Sequence, residues 1–322
     1  MSIDLDRVRA GLGSRHERVL VAAVRDGDAA SGTFGLPETA DAEIGSVSKG
    51  LSGLLYRQMV RAGDVTPDAT LGELLGRPEA SYAPLSLEAV SQHRSGLPRL
   101  QPDGGERSQV ARTWALWRRG ENPYGDTVEE LLAMAADTPV GKPRFGYSNL
   151  GFELLGAALA RAAGLPFATL LRERVLAPLG MDGAYAPSRP SELRADAVVG
   201  SSRRGRPQEA WVGEALGPAG GVRCTAADLA AFLAGLVSGA APGIDALEAT
   251  SPARGESRIG AAWMTTVHGD SEVVWHNGRT GGFGSWVGVD RAARTGLAMV
   301  TATARSCDRE GFAALRQLAS ES

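Results

Sequence analysis

The chain has 322 residues, 43% of them hydrophobic and 22% charged, enough for one large core or two lobes. A net charge of -3 argues against nucleic acid as the main partner, because phosphate binding needs a basic surface. No stretch of about 20 apolar residues is free of charges, so no membrane span is predicted.

The start, Met1 to Arg7, is charged and has no apolar run, so no secretory leader is read and a cytoplasmic protein is expected. Cys224 and Cys307 make neither a disulfide framework nor a metal site. Four scattered histidines without a His-x-x-x-His pair argue against zinc, and no metal or cofactor is predicted.

In chain order, residues 3–13 read as a short amphipathic helix. Arg18 to Arg25 is β-compatible, and Asp26-Gly27-Asp28 turns it into a second strand, Ala29 to Phe34. A helix then runs to about Arg61 and stops at Ala62-Gly63-Asp64. From about 65 to 205 the pattern is helical and loop-rich, with helices over 71–75, 85–93, 110–119, 127–136, 150–163 and 166–176. Residues 187–210 read as a loop crossing. Thr225-Ala226-Ala227-Asp228 has the spacing of a capping box for a helix to about 238. Strands are predicted at Ile259 to Val267, Val273 to Asn277, Gly284 to Asp290 and Gly296 to Ala302, with a closing helix from Glu310 to Ser320. Short separations favour an antiparallel meander. The expected architecture is α+β. Residues 1–64 and 206–322 form an antiparallel sheet flanked by helices, 65–205 form an all-helical lobe, and the active site lies between them.

Three stretches carry chemistry. Ser46 and Lys49 stand three apart at the start of a helix, where positions i and i+3 are neighbours. A serine hydroxyl is a weak nucleophile until a base takes its proton, and a desolvated lysine can do so. Lys49 and Lys142 are the only lysines in a chain whose other strong bases are arginines, which do not give up a proton. In Tyr147-Ser148-Asn149 the phenol can shuttle protons, and the Asn149 amide can orient a lysine or a substrate carbonyl. The third stretch, His276-Asn277-Gly278-Arg279-Thr280-Gly281-Gly282, lies where one strand turns into the next, and its glycines allow close backbone approach to a ligand. Each alone has a plain structural reading: a common tetrapeptide, a helix start, and a glycine-rich hairpin.

Together, in this order, they resemble the Ser-x-x-Lys, Tyr-x-Asn and Lys-Thr-Gly elements of penicillin-recognising serine hydrolases. The likeness is to the class C β-lactamase group with its related esterases and D-amino-acid peptidases. Gln92 to Pro98, Gly220 to Leu229 and Leu176 to Met181 resemble further segments of that group, so the likeness covers nearly the whole chain. It implies a β-lactamase-like fold, Ser46 as the acylated nucleophile, Lys49 as its base, and Tyr147 as proton donor to the leaving group. Asn149 would orient the substrate, and the backbone N–H groups of Ser46 and Arg279 would form the oxyanion hole. His276, Asn277, Gly278 and Arg279 would line the substrate site.

Two departures matter. His276 stands where a lysine is usual, and a neutral imidazole recognises a carboxylate poorly. Arg279 stands where a small residue is usual. With no leader visible, His276 favours a cytoplasmic esterase or transacylase over a D-amino-acid amidase, peptidase or β-lactamase. The partner is then a small ester or amide, with a possible acyl acceptor. A binding protein on the same fold is the competing class, opposed by three complete motifs. An α/β-hydrolase is excluded because the chain has no Gly-x-Ser-x-Gly. Trp114, Trp117 and Tyr124 are pocket candidates, although aromatics three apart on a helix more often pack a core.

Overall fold

The computed structural model describes residues 3–101, 108–268 and 271–320. The chain opens with α1 (Leu5–Gly11), capped by the Asp4 carboxylate, and continues into β1 (Val19–Arg25) and β2 (Asp28–Phe34). Asp26 and Gly27 both have positive φ, 51° and 92°, the handedness that matches strand twist in a two-residue hairpin loop. Next come β3 (Ala42–Glu43), a single 3-10 turn at Gly45–Val47, and α2 (Ser48–Ala62), which ends on a left-handed Gly63.

Helices follow: α3 (Leu71–Leu75), α4 (Leu87–Ser91), α5 (Gln109–Arg119), α6 (Val128–Ala135), α7 (Asn149–Ala163), α8 (Phe167–Leu171) and α9 (Ala177–Leu179). The short α10 (Gly217–Gly220) and β4 (Arg223–Cys224) lead to α11 (Ala226–Ser238). The last strands are β5 (Ser251–Pro252), β6 (Arg258–Ile259), β7 (Met264–His268), β8 (Ser271–Arg279), β9 (Gly284–Asp290) and β10 (Thr295–Thr301), before α12 (Asp308–Ser320).

All but β3 and β4 join one antiparallel sheet in the order β2-β1-β10-β9-β8-β7-β6-β5. The two ends of the chain meet at its centre, where β1 pairs with β10 from Val19↔Thr301 to Arg25↔Thr295. β1, β9 and β10 are buried along their whole length because helices cover both faces, which is why they read as near-continuous apolar runs. Alternation divides β1: Leu20, Ala22 and Val24 face one apolar cluster with α2 and α11. Val19, Val21 and Ala23 face a smaller one with Ala314, Leu315 and Leu318 of α12. The larger cluster also takes in leucines of α3, α4, α6, α7 and α8, so sheet and helices share a core.

α2 is the centre of that core. Its Leu51, Leu54 and Leu55 are fully buried, each stabilising the fold by about 1.5–3 kcal/mol relative to exposure. Gly50 and Gly53 let segment 261–263 lie against the helix, since a Cβ at Gly53 would sit 2.2 Å from the Ala261 carbonyl oxygen. The Trp263 indole packs there and donates to the Gly50 carbonyl at 3.2 Å.

This packing explains one departure from expectation. Ile259 to Val267 is not one strand. It is β6 and β7, separated by a turn in which Ala262 takes φ of 72° and its N–H donates to Ser91. The apolar content there serves α2 rather than a continuous strand. β8, by contrast, runs two residues past the predicted end, to Arg279. Among the described residues no single helix is long and apolar enough to cross a membrane.

Candidate active site

The position of Ser46, the predicted nucleophile, is fixed by the elements on either side of it. Ahead of the Gly45–Val47 turn, β3 pairs with β4, and the Ile44 N–H donates to Val222 at 3.1 Å. Beneath that pair lies the fully buried Arg223. Its guanidinium holds Asp41 at 2.6 Å and Glu43 at 3.1 Å, and donates to the Asp41 and Val198 carbonyls. Burial raises the Glu43 carboxyl above its ordinary value, against the pull of Arg223. From the sheet side, the Ser285 hydroxyl donates to the Ile44 carbonyl at 2.6 Å. The turn itself needs Gly45, which has φ of 50° and whose Cβ would come within 2.9 Å of the Arg279 nitrogen.

Ser46 is half-buried in a run of buried neighbours. Lys49, one turn on, has no exposed surface; its Nζ donates to Ser46 Oγ at 3.4 Å and to the Ala219 carbonyl at 2.5 Å. Among the described residues no carboxylate pairs with Lys49. α10 brings Ala219 there. The Ser52 hydroxyl donates to Pro218 at 2.8 Å, and the Val222 N–H donates to Ser48 Oγ at 3.1 Å.

Tyr147 and Asn149 arrive on the start of α7. Lys49 Nζ lies 5.0 Å from the Tyr147 ring centre and 5.8 Å from that of Phe152. Segment 93–99 clasps this start by four hydrogen bonds. Gly146 N–H donates to the His93 carbonyl at 2.8 Å, Ser148 N–H to His93 Nδ1 at 3.1 Å, Ser148 Oγ to Pro98 at 2.6 Å, and Asn149 N–H to Arg99 at 2.8 Å. His93 adopts φ of 55° to do so, and its ring packs 4.5 Å from that of Tyr147. Because Nδ1 accepts, the ring is neutral. Burial first, then the Lys49 charge, hold it well below the usual histidine range. The sequence reading noted the likeness of Gln92 to Pro98 but gave His93 no role.

β8 closes the third side. His276 is buried, and its Nδ1 donates to the Asn277 carbonyl at 2.7 Å. Burial, then Lys49, push it down to about 3, so it is uncharged at neutral pH. Gly278 lets the strand press on the turn, since a Cβ there would lie 2.9 Å from Ser46 N and 2.2 Å from the Ile44 carbonyl oxygen. Thr280 N–H donates to Phe283 at 3.0 Å, and bonded pairs alternate along an antiparallel ladder. The Arg279 N–H is therefore directed away from β9, on the side of Ser46.

Two predicted substrate-site residues do not face Ser46. Successive side chains of a strand point to opposite faces, and Asn277 lies on the α12 side, where its amide donates to both Asp308 oxygens at 2.9 and 3.0 Å. Arg279 leaves on that same side and is exposed, so its contribution near Ser46 is its backbone N–H. Trp114 and Trp117 are not core: they are 52% and 80% exposed on α5 and help line a cleft of about 750 Å3 with Leu100, Val110, Thr113 and Arg118. None of the predicted catalytic residues lines that cleft. Tyr124 does reach the site, accepting from Asn149 Nδ2 at 3.4 Å.

A serine hydroxyl beside a buried lysine, a tyrosine over the same lysine, and two backbone N–H groups on one side define a site able to perform acyl transfer. The comparisons agree in kind. The Beta-lactamase family profile matches residues 7–320, and the chain belongs to that family. It is 35% identical over 118 residues to the D-alanyl-D-alanine-carboxypeptidase/endopeptidase AmpH of Escherichia coli K12, covering 36% of this chain and 28% of that protein. It is 32% identical over 173 residues to the human putative beta-lactamase-like 1, covering 53% of this chain and 31% of that one. The chain thus spans less than a third of the length of these relatives.

Among solved structures, the octameric penicillin-binding protein homologue from Pyrococcus abyssi aligns with a TM-score of 0.80 at 21% identity, over 98% of this chain and 77% of that one. The D-alanine carboxypeptidase AmpC from Burkholderia cenocepacia aligns with a TM-score of 0.77 at 20% identity, over 99% of this chain and 100% of that one. The class C β-lactamase from Rhodobacter sphaeroides gives 0.79 at 15% identity, over 97% and 99%. These likenesses establish the β-lactamase-like α+β fold.

Proposed function

We propose that the chain is a serine hydrolase that forms an acyl-enzyme on Ser46 and cleaves an amide of the D-alanyl type. The observation that carries the acyl-enzyme is Lys49 Nζ, buried with no carboxylate partner among the described residues and 3.4 Å from Ser46 Oγ. Lys49 accepts the hydroxyl proton as Oγ bonds to the substrate carbonyl carbon. The oxygen's charge falls on the Ser46 and Arg279 N–H groups, each such donor being worth about 2.7–4 kcal/mol in related chemistry. The proton passes to the leaving nitrogen through Tyr147 as the C–N bond breaks, and water repeats the sequence in reverse to release the acid. The likeness to AmpH supports the amide branch over an ester substrate.

A second reading, an esterase or transacylase, is favoured by one feature. His276 is neutral at the position where a cationic residue would recognise a carboxylate. Intact-protein mass after exposure to a D-alanyl-D-alanine peptide, a penicillin and an activated acyl ester separates these readings, with Ser46→Ala alongside. A mass gain lost in Ser46→Ala identifies the nucleophile, and the compound that adds and turns over identifies the branch. Absence of labelling by all three removes the acyl-enzyme reading.

A further inference from the structure

Within α7, Asn149 and Glu153 stand four residues apart, on one helix face and in reach of each other. Glu153 is 1% exposed. Its Oε2 accepts from the Gln101 amide at 3.1 Å, while Oε1 is buried with no partner among the described residues. Asn149 Oδ1 is likewise buried and unpartnered, while its Nδ2 faces the Tyr124 hydroxyl at 3.4 Å. Two buried acceptor oxygens one turn apart are each costly alone, and one proton between them satisfies both.

We propose that Glu153 is a positioning residue, a neutral acid whose O–H donates from Oε1 to Asn149 Oδ1. The Asn149 NH2 is thereby held toward Tyr124 and the cleft. This rests on the acyl-enzyme reading for its catalytic consequence, but not for the proton itself. The surroundings agree. The cation that would pair with Glu153 from α5, Arg112, is already held by both oxygens of Asp126 at 2.6 and 2.8 Å. The other charges and titratable groups facing it are Lys49 from α2, Asp126 and Tyr124. Burial outweighs Lys49 and Arg112 and raises the Glu153 carboxyl to about 7. Above that, two acceptors would face each other, and the Asn149 amide would turn its NH2 toward Glu153 and away from substrate.

The test has two arms. Infrared spectra at about pH 6 are expected to show a protonated-carboxyl C=O band that is missing in Glu153→Gln and moves to higher frequency in Asn149→Ala, which lacks the acceptor. The second variant keeps the assignment testable if the first does not fold. The other arm is the Ser46 acylation rate against pH. Glu153→Gln still has an NH2 for Asn149, so the wild-type to variant ratio should fall by about threefold or more between about pH 6 and pH 8. Glu153→Leu, with no donor, should acylate about tenfold more slowly than Glu153→Gln at every pH. Absence of the acid band, as for an ionised carboxylate bridged by water, overturns the proposal. A flat ratio overturns the positioning role. If nothing acylates Ser46 the hydrolase reading fails, and the infrared arm, which needs no turnover, still decides the proton.

Discussion

Gly278→Ala is the sharpest probe of how Ser46 and the strand end are joined. The new Cβ would lie 2.2 Å from the Ile44 carbonyl oxygen, 2.4 Å from Ser285 Oγ and 2.9 Å from Ser46 N. Ser285 can rotate away, at the loss of its 2.6 Å bond to Ile44, a loss of about 1 kcal/mol. The other two atoms are backbone and cannot, so β8 and the Gly45–Val47 turn must part. Overpacking of this kind costs about 1–3 kcal/mol of stability. The catalytic loss should be larger than stability accounts for, because parting displaces one oxyanion donor from the other, an effect of about 100- to 1000-fold. Time-resolved intact mass of acylated Ser46, read with a thermal melt, measures both. Gly296→Ala in β10 is the control, since its Cβ would crowd Val237 at 3.0 Å and Leu233 at 3.1 Å, away from Ser46. It should melt lower and acylate normally. Wild-type acylation in Gly278→Ala would refute the claim that the two backbones form one oxyanion site.

Two further expectations test the site's boundaries. Asn277→Ala removes the bond to Asp308 on the α12 side and should lower stability by about 1–2 kcal/mol while leaving acylation within about twofold; a large kinetic loss would place Asn277 back in the substrate site. His276 is held at about 3, below its unfolded value of 6.5, so below pH 6.5 the unfolded chain binds a proton that the folded one refuses. Its contribution is therefore present above about pH 6.5 and is lost as pH falls toward 3, by about 1.4 kcal/mol per pH unit. Urea unfolding across that window should slope less steeply by this amount in His276→Asn, and equal slopes would mean His276 is not buried neutral.

The sheet was legible where burial on both faces left an apolar run, as in β1, β9 and β10, and the helices where caps stood at both ends, as Thr225 and Gly239 do for α11. Legibility failed where apolar residues serve an unrelated element, as with Trp263 reaching under α2. That Ser46, Lys49 and Tyr147 would come together was readable because each motif is short and local. Asn277 was misplaced because a motif names neighbours in sequence, while a strand sends neighbours to opposite faces. Glu153 carried no signal at all, whereas Tyr124, a pocket candidate from the sequence, does meet Asn149. A glutamate four residues into an apolar helix looks like any solvated position, and its burial shows only in the fold, where Gln101 arrives from another segment to meet it.

The distribution of contacts around Ser46 has a consequence for what can vary here. The turn that carries Ser46 is held by backbone or small-hydroxyl bonds with Val222 and Ser285 and by the close approach of the strand at Gly278, and the start of α7 by four bonds with segment 93–99. Such contacts fix geometry without contributing shape to the cleft. Specificity must then come from side chains that enter from loops, with Arg99 stacked 5.3 Å over the Tyr147 ring and Tyr124 against Trp211 the nearest examples. Those residues sit on connections rather than on the sheet. On the proposed acyl-enzyme reading, the backbone frame would set the rate of acylation and the loops which acyl group reaches it.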